Sequence, residues 1–285
     1  MAVAGTPLVP GTQTGMTLAV VRRTVESGTY QRLKFIKIIE ETERLYNQLT
    51  MRKYARVTGT TLGQTADGTG LTYLNIIGTP VTLTPIGSVV PVAWSANYQA
   101  QTDVSLDRGS SDQIEMALAE LTEAAALANV TAGTEIMTMT GIDGPSIRQA
   151  TARLQGNTNG VAEVGGNGPQ MYGIFTHKQL PNLGNIPEYN NAEVRGDSET
   201  PYVKGVWMRG GGLMLVTTTV ITNDANGDHN CVFIPSAFVI SWNVRSEIRH
   251  QDVEMQNRAI AYNNVGSGIL HNARLLDVRT TTSAL

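Results

Sequence analysis

One segment of this chain, residues 57–102, carries a single charged side chain, Asp67, and no lysine. The segment is rich in threonine, valine, glycine and proline, a composition that favours extended strands over helix. Asp67 and Gly68 form a dipeptide typical of a hairpin turn, because both residues tolerate a positive φ at low cost. An isolated two-stranded ribbon is marginally stable in water, and its uncharged edges invite pairing with another chain. The segment therefore predicts a long hairpin that docks on a protein core or on a neighbouring subunit.

The overall composition points in the same direction. The chain has 285 residues, enough for one large domain or two modest ones, and only 16% of them are charged. In globular proteins about a quarter of the residues are charged on average. The lower charge of this chain suits extended structure that is covered by partner proteins. The formal net charge of −3 gives no strong electrostatic case for a protein that reads nucleic acid.

The cysteine content and the hydropathy of the sequence argue against disulfide-linked, secreted and membrane-spanning proteins. A single cysteine, Cys231, rules out an intrachain disulfide and a CxxC metal site, and its apolar neighbours predict a buried strand thiol. The first residues lack the charged region that precedes the apolar core of a signal peptide. No window approaches the about 20 apolar residues of a membrane span. These patterns predict a soluble protein made in the cytoplasm.

The first part of the chain divides into an arm and a helix. Residues 1–29 contain several prolines and glycines without sustained periodicity, which predicts an extended, mobile arm. From Tyr30 to about Arg56, apolar residues recur at helical spacing, among them Leu33 and Ile36. This stretch predicts an amphipathic helix whose apolar side lies on another surface.

A second helix, over roughly residues 110–129, is the strongest local prediction. Ser110 and Gln113 have the spacing of a capping box at its start, and apolar residues follow at three- and four-residue intervals. The apolar stripe consists of Ile114, Ala117, Leu118, Leu121, Ala124, Ala125 and Ala128. Three glutamates lie off this stripe: Glu115, Glu120 and Glu123.

The rest of the chain mixes helix and strand signals. Gly144-Pro145-Ser146 opens a shorter helix that runs to about residue 155, and a buried strand is predicted over residues 171–176. Further strands are predicted over residues 213–221, 231–235 and 237–244, and alternation towards the C-terminus gives two or three more.

Catalytic and ligand-binding motifs are absent from the sequence. There is no phosphate-binding GxxxxGK[ST] motif or GxSxG elbow, and the four histidines form no zinc-binding pair. Asp224, Asn226 and Asp228 imitate the start of a calcium loop, but His229 stands where that loop needs glycine. An Asn-Gly hairpin turn at residues 226–227 is favoured instead. Glu247, Asp252 and Glu254 are predicted to lie on a solvated strand face rather than to form an acid–base pair.

A basic cluster stands out in an otherwise acidic chain. It consists of Arg22, Arg23, Arg32, Lys34 and Lys37. Ion pairs between subunits or between helices are the favoured interpretation. Contact with phosphate groups is the alternative, because clustered cations attract nucleic acid without regard to sequence.

The order of these elements resembles the major capsid protein of tailed double-stranded-DNA bacteriophages, which has the Hong Kong 97-type fold. An arm, an amphipathic helix, a long uncharged hairpin, a long helix and an α/β region closed by strands follow one another as they do in that family. MYGIFTHKQLPNL is similar to the family's strand-then-helix segment, and VKGVWMRGGGLMLVTTTVI resembles a later strand, although it lacks the expected proline. The residues after Ala237 are similar to the closing strands.

The resemblance implies an α+β fold with five regions. Residues 1–56 would form the N-terminal arm and amphipathic helix, and residues 57–105 the E-loop hairpin. Residues 106–139 would form the peripheral domain with its spine helix, and residues 140–235 the α/β axial domain. Residues 236–285 would supply the closing strands of both domains.

The resemblance also implies a function. The chain would be a non-enzymatic capsid subunit without cofactors, which assembles in the host cytoplasm as pentamers and hexamers into the icosahedral shell of a virion. Its partners would be itself, a portal, a possible separate scaffolding or decoration protein, and packaged double-stranded DNA held without sequence specificity; no membrane is involved. Some family members join subunits through an E-loop lysine, which this segment lacks, and the 29 residues ahead of the helix are too few for a scaffolding domain.

Two groups of residues are candidate contacts in such a shell. The candidate inter-subunit contacts are Leu62, Asp67, Gly68, Leu71, Tyr73, Leu33 and Ile36, and the candidate charge contacts are Arg22, Arg23, Arg32 and Lys34. Two alternatives stay open. An encapsulin-type nanocompartment resembles the same fold but encloses a cargo enzyme, and a soluble α/β enzyme with an unrecognised site would form a small oligomer instead of a shell.

Overall fold

Two main β-sheets, a long helix and a separate two-stranded ribbon make up the fold. The computed structural model describes residues 29, 32–39, 49–54, 78–95, 106–157, 170–187, 206–210, 213–253 and 256–281. The helices are α1 (Phe35–Ile38), α2 (Leu106–Leu127), α3 (Gly144–Asn157) and α4 (Leu180–Gly184). The strands are β1 (Leu49–Tyr54), β2 (Gly78–Leu83), β3 (Pro85–Ser95), β4 (Ile136–Met139), β5 (Met171–Thr176), β6 (Val206–Gly210), β7 (Leu213–Thr218), β8 (Asn223–Asp224), β9 (Gly227–Phe233), β10 (Phe238–Val253), β11 (Gln256–Ile269) and β12 (Leu275–Thr280).

The larger sheet has seven strands in the order β4-β12-β9-β5-β7-β6, with β8 paired to β9. Strand β5 pairs in parallel with β7 and antiparallel with β9. Its residues are buried on both faces, which explains the continuous apolar run MYGIF. Gly173 in this strand lies close to its neighbours, and a Cβ atom there, 2.6 Å from the Leu215 side chain, would require that side chain to shift.

Helix α3 covers one face of this sheet. Ile147, Ala150 and Leu154 point inward at helical spacing and pack in the same cluster as Phe175 and Val232 of the sheet. Its start is fixed by Asp143, whose Oδ1 accepts a 2.8 Å hydrogen bond from the Ser146 amide. Hydrogen bonds from Ser146 lower the pKa of the Asp143 carboxyl. The helix predicted from Gly144 is confirmed.

The smaller sheet is antiparallel, in the order β10-β11-β3, and α2 lies on one of its faces. Ile114 and Leu118 of the helix pack against Ala261 of the sheet. A buried polar contact joins the two layers further along, where Asn263 Nδ2 donates to Thr122 Oγ1 at 2.5 Å. The helix face that meets the sheet is therefore mixed rather than purely apolar.

Strands β1 and β2 form an antiparallel two-stranded ribbon, with Leu49 opposite Leu83 and Tyr54 opposite Gly78. Its base is anchored by a small cluster in which Leu83 packs with Val239 of β10. The predicted hairpin therefore begins earlier than residue 57. Residues 55–77, which include the expected turn at Asp67 and Gly68, lie outside the described residues.

The helix predicted from Tyr30 to about Arg56 is wrong over its second half. In the described part of this stretch Arg32 and Phe35–Ile38 are helical, and Leu49–Tyr54 is a strand. Local periodicity favoured helix, but cross-strand pairing with β2 decides the conformation of residues 49–54. Tertiary context overrides the local pattern here.

The long helix predicted over residues 110–129 is confirmed as α2, although it begins at Leu106. The proposed capping box at Ser110 therefore lies inside the helix and does not start it. The strands predicted over residues 171–176 and 237–244 are confirmed by β5 and β10. Those predicted over residues 213–221 and 231–235 exist with other bounds, since β7 ends at Thr218 and β9 runs over Gly227–Phe233.

Candidate assembly surfaces

Residues 32–39, here called the strap, cross the long helix and are held by a buried glutamate. Glu123 of α2 is only 4% exposed. Its Oε1 accepts hydrogen bonds from three successive backbone amides, those of Lys34, Phe35 at 2.7 Å and Ile36 at 3.4 Å. These are the amides at the start of α1 that have no partner inside the helix. A side chain from another helix thus caps the strap.

The surroundings of Glu123 affect its protonation. Burial raises the pKa of this carboxyl, and the three amide hydrogen bonds and the Lys34 charge oppose the shift only in part. A cavity of about 370 Å³ lies beside it and is lined in part by Lys34, Glu120 and His177.

Two cations add to the docking of the strap. Arg32 Nε lies 3.4 Å from Glu115 Oε2, and a second guanidinium nitrogen lies 3.6 Å from Asp112 Oδ1. The Lys34 ammonium donates a 3.0 Å hydrogen bond to the Thr217 carbonyl at the end of β7. Arg32 therefore forms its ion pairs with α2 of its own chain, and a contact of Arg32 or Lys34 with a neighbouring subunit stays a prediction.

The strap also fills the junction between the two sheets. The Phe35 ring packs edge-on against Phe233 of β9 and Phe238 of β10, with ring centroids 5.4 and 5.0 Å apart. Edge-to-face aromatic pairs contribute about 0.5–1.5 kcal/mol beyond their burial. Phe35 therefore connects the strap to both sheets at once.

Leu33 and Ile36, predicted to contact a neighbouring subunit, are buried in the core of their own chain. Their apolar surface is already covered by the junction cluster, so this prediction is corrected. Of the other candidates, Leu62, Asp67, Gly68, Leu71, Tyr73, Arg22 and Arg23 lie outside the described residues.

The face of α2 that is buried against the rest of the chain differs from the face that its apolar stripe predicted. Glu115 and Glu123 are buried, whereas Leu121 is 46% exposed and Met116 is also exposed. The glutamates are buried because the strap supplies their hydrogen-bond partners. No signal in the helix sequence alone could have shown this, because the partners are more than 80 residues away in the chain.

The face of the smaller sheet opposite α2 is partly apolar and open. Val89 is 51% exposed and Ile260 is 40% exposed. Val89 pairs with Tyr262 and Pro91 with Ile260, so these four side chains share the face. Exposed apolar surface of this kind suits contact with another protein.

The same face carries a small polar group. The Tyr262 hydroxyl donates to the Glu247 carboxylate, and the Arg249 guanidinium lies 5.1 Å from the Tyr262 ring centroid. The hydrogen bond to Glu247 is the main cause of a raised Tyr262 pKa. Glu247 lies on strand β10, as predicted, and its carboxylate, 31% exposed, contacts Tyr262 and Arg249.

The other features tested for chemistry are structural. Cys231 is fully buried, and this burial raises the pKa of its thiol well above the ordinary value for cysteine. The segment that imitates a calcium loop is the β8–β9 hairpin, with Ala225 and Asn226 in the turn and Gly227 at φ 106°. The turn thus lies one residue earlier than predicted. Among the described residues, no group of three or more acidic, histidine or cysteine side chains could hold a metal ion.

No helix in the described part of the chain is long and apolar enough to span a membrane. No protein-family model and no curated protein matches the sequence.

Solved structures with the same fold are numerous. The capsid of Ralstonia phage GP4 matches with a TM-score of 0.67 at 11% identity, over 85% of this chain and 87% of that one. The head structure of Helicobacter pylori bacteriophage KHP40 matches with a TM-score of 0.63 at 12% identity, over 86% and 90%. A virus-like particle from Pyrococcus furiosus matches with a TM-score of 0.62 at 12% identity, over 92% and 99%. The chain has the α+β fold of tailed-phage capsid proteins, the Hong Kong 97-type fold.

Proposed function

We propose that this chain is the major capsid protein of a tailed bacteriophage, and that it assembles as pentamers and hexamers into an icosahedral shell around double-stranded DNA. The observation that carries the proposal is the extent of the fold similarity. Phage capsid and head structures match over 85% or more of this chain and 87% or more of their own.

The geometry of the described residues suits assembly by burial. Stable protein interfaces bury about 1,200–2,000 Å² in total, and a closed shell needs several distinct interfaces on each subunit. The open face at Val89 and Ile260 offers apolar surface for one of them. The ribbon of β1 and β2 is anchored through Leu83 and Met51, and residues 55–77 connect its two strands. We propose that this connecting segment, with Leu62, Asp67, Gly68, Leu71 and Tyr73, contacts a neighbouring subunit.

The proposed partners follow from the same assembly. A net charge of −3 gives weak, non-specific interaction with packaged DNA, because strong binding to phosphates requires clustered cations. Arg22 and Arg23 are the proposed cations for contacts between subunits or with DNA. A portal and a separate scaffolding or decoration protein complete the proposed partners. The virion is the proposed location, reached after assembly in the host cytoplasm.

An encapsulin-type nanocompartment is the second candidate. The specific observation in its favour is the match to the virus-like particle from Pyrococcus furiosus, which covers 92% of this chain and 99% of that one. Such a shell would enclose protein instead of a genome. The contents of purified particles distinguish the two.

The test is expression of the full chain, followed by negative-stain electron microscopy and light scattering. The capsid proposal predicts closed shells, or rings of five and six subunits when a partner needed for closure is missing. A monodisperse small oligomer at all concentrations would contradict it and would favour a soluble enzyme. Particles purified from phage-infected cells and treated with nuclease should contain protected double-stranded DNA. Protected protein without DNA would favour the nanocompartment.

A further inference from the structure

The side of α2 that faces away from the smaller sheet carries little charge. Its residues recur at intervals of three and four along the helix, so they lie on one face. This outer face consists of Met116, Ala117, Glu120, Leu121, Ala124 and Ala128, all partly or largely exposed. Met116 is 41% exposed and Leu121 is 46% exposed. A helix face in contact with water is ordinarily polar, so this apolar one is suited to being covered.

The cavity beside Glu123 opens along one edge of the outer face. Met116, Ala119 and Glu120 line it from α2, and Arg32 and Lys34 line it from the strap. Both strap cations already have partners, since Arg32 lies beside the acidic residues near the start of α2 and Lys34 donates to a backbone carbonyl. No ion pair joins Glu120 to any residue in the described part of the chain. The rim of the cavity therefore has one carboxylate available to a further cation.

The chain itself contains a segment of matching chemistry just ahead of the strap. Residues 18–21 read Leu-Ala-Val-Val, and Arg22 and Arg23 follow directly. These arginines are the only cations in the first 28 residues. Four apolar side chains fit the apolar part of the outer face, and a guanidinium next to them fits the carboxylate of Glu120.

The length of the chain places this segment within reach. Arg32 is fixed near the start of α2 by its contacts with Asp112 and Glu115. Arg23 precedes it by nine residues, which span at most about 30 Å when extended. The outer face is only about 18 Å long, at the rise of an α-helix. A segment tethered this closely has an effective concentration in the millimolar range, so a weak contact is enough to hold it.

We propose that in the free subunit residues 18–23 lie along the outer face of α2 in their own chain, with the apolar residues over Met116 and Leu121 and an arginine beside Glu120. The contact covers the side of α2 opposite the smaller sheet, away from the open face at Val89 and Ile260. It concerns the single subunit and stands whether or not the chain forms a shell. Any contact of these arginines with a neighbouring subunit or with DNA then requires the segment to leave α2 first.

Limited digestion of the full-length protein with trypsin tests the proposal, because trypsin cuts after Arg22 and Arg23 only when the segment is free. The smallest species from size-exclusion chromatography is used, and mass spectrometry follows the loss of the first 22 or 23 residues. The cutting rate tracks the population of the released segment. We expect Leu121→Asp and Glu120→Lys each to raise this rate about tenfold, the first by placing a charge under the apolar residues and the second by repelling the arginines.

The matched control is Ala152→Asp, which adds the same charge to an exposed position of α3. It should leave the cutting rate unchanged. Both altered positions on α2 are exposed, so their variants should keep the thermal transition of the unaltered chain, and the rate then reports on the segment alone. An unaltered chain that is cut as fast as the two variants would overturn the proposal. Protection that is lost on dilution would also overturn it, because the segment would then lie on a second copy.

Discussion

Glu123 satisfies three backbone amides of the strap with one carboxylate oxygen. Replacing it with alanine leaves those amides buried without an acceptor, which costs about 1–3 kcal/mol for a single buried group. We expect Glu123→Ala to lower the free energy of unfolding by about 2 kcal/mol or more, measured by denaturant titration. Glu120→Ala is the matched control, because Glu120 is exposed on the same helix, and it should change stability by less than about 0.5 kcal/mol.

The raised pKa of Glu123 gives this prediction a pH dependence. In the folded chain the carboxyl holds its proton over a range in which the unfolded chain has released it. The corresponding stability is present below the ordinary pKa of glutamate and is lost as the pH rises through the raised value. Glu123→Gln cannot titrate, so the unaltered chain should lose stability relative to this variant across that interval. A constant difference between the two would contradict the assignment.

Gly227 is a second residue whose identity is fixed by its surroundings. Its φ of 106° disfavours any side chain, and a Cβ atom would lie 2.2 Å from the Thr280 carbonyl oxygen. We expect Gly227→Ala to cost about 1–3 kcal/mol from backbone strain alone. Gly156→Ala is the control, since Gly156 lies in α3 with no heavy atom within 4 Å of the added Cβ. Gly156→Ala should leave the free energy of unfolding unchanged or raise it by up to about 1 kcal/mol. Thermal denaturation of both variants and the unaltered chain measures the two effects.

At the scale of elements, α2 joins the strap to the smaller sheet. Ala124 lies in its interior, next to Glu123. Proline there removes a backbone hydrogen bond and clashes with the preceding turn, at a cost of about 3 kcal/mol or more. We expect Ala124→Pro to abolish particle formation in electron micrographs while soluble protein is still obtained. Ala124→Gly, which costs about 1 kcal/mol, is the graded control and should still assemble. Normal particles from the proline variant would contradict the proposed role of this helix in assembly.

Elements with strong local signals could be predicted from the sequence, and those defined by distant contacts could not. Helix α2 and strand β5 have periodic or continuous apolar patterns of sufficient length. Strand β1 has no such pattern, because it forms by pairing with β2 about 30 residues later. The burial of Glu115 and Glu123 likewise depends on the strap. A hydropathy pattern predicts that charged residues lie on the protein surface. Only contacts with a distant part of the chain, here the strap, allow these two glutamates to be buried.

For the whole molecule, the order of elements and its resemblance to a known family predict the fold, although the three structures compared above are only 11–12% identical to this chain. Layers and connections are constrained by packing and chain direction, which many sequences satisfy. Contacts between subunits depend on individual side chains and are far more variable. An apolar helix face predicts burial without saying on which chain, and Leu33 and Ile36 are buried in the core of their own chain.

The uncharged segment also predicts how subunits are joined. Residues 57–102 contain no lysine, and one cysteine per chain cannot link a closed network. We therefore expect purified particles, boiled in SDS with or without reductant, to give a single band near 30.6 kDa. A ladder of multiples of that mass would show that covalent bonds join the subunits after all.

The ribbon allows assembly to be separated from folding. Strands β1 and β2 pair along their length and Leu83 packs on Val239 of β10, and residues 62–74 lie outside both strands. Replacing these residues with a short Gly-Ser linker should leave a subunit with a cooperative thermal transition, because both sheets remain complete. The same variant should elute as small oligomers in size-exclusion chromatography, since a proposed contact with a neighbouring subunit is lost. As a control, the same linker replaces residues 158–169, between α3 and β5, a segment of nearly the same length. Intact shells from the 62–74 variant would remove this segment from the assembly contacts. An unfolded subunit would show that the segment packs on its own chain.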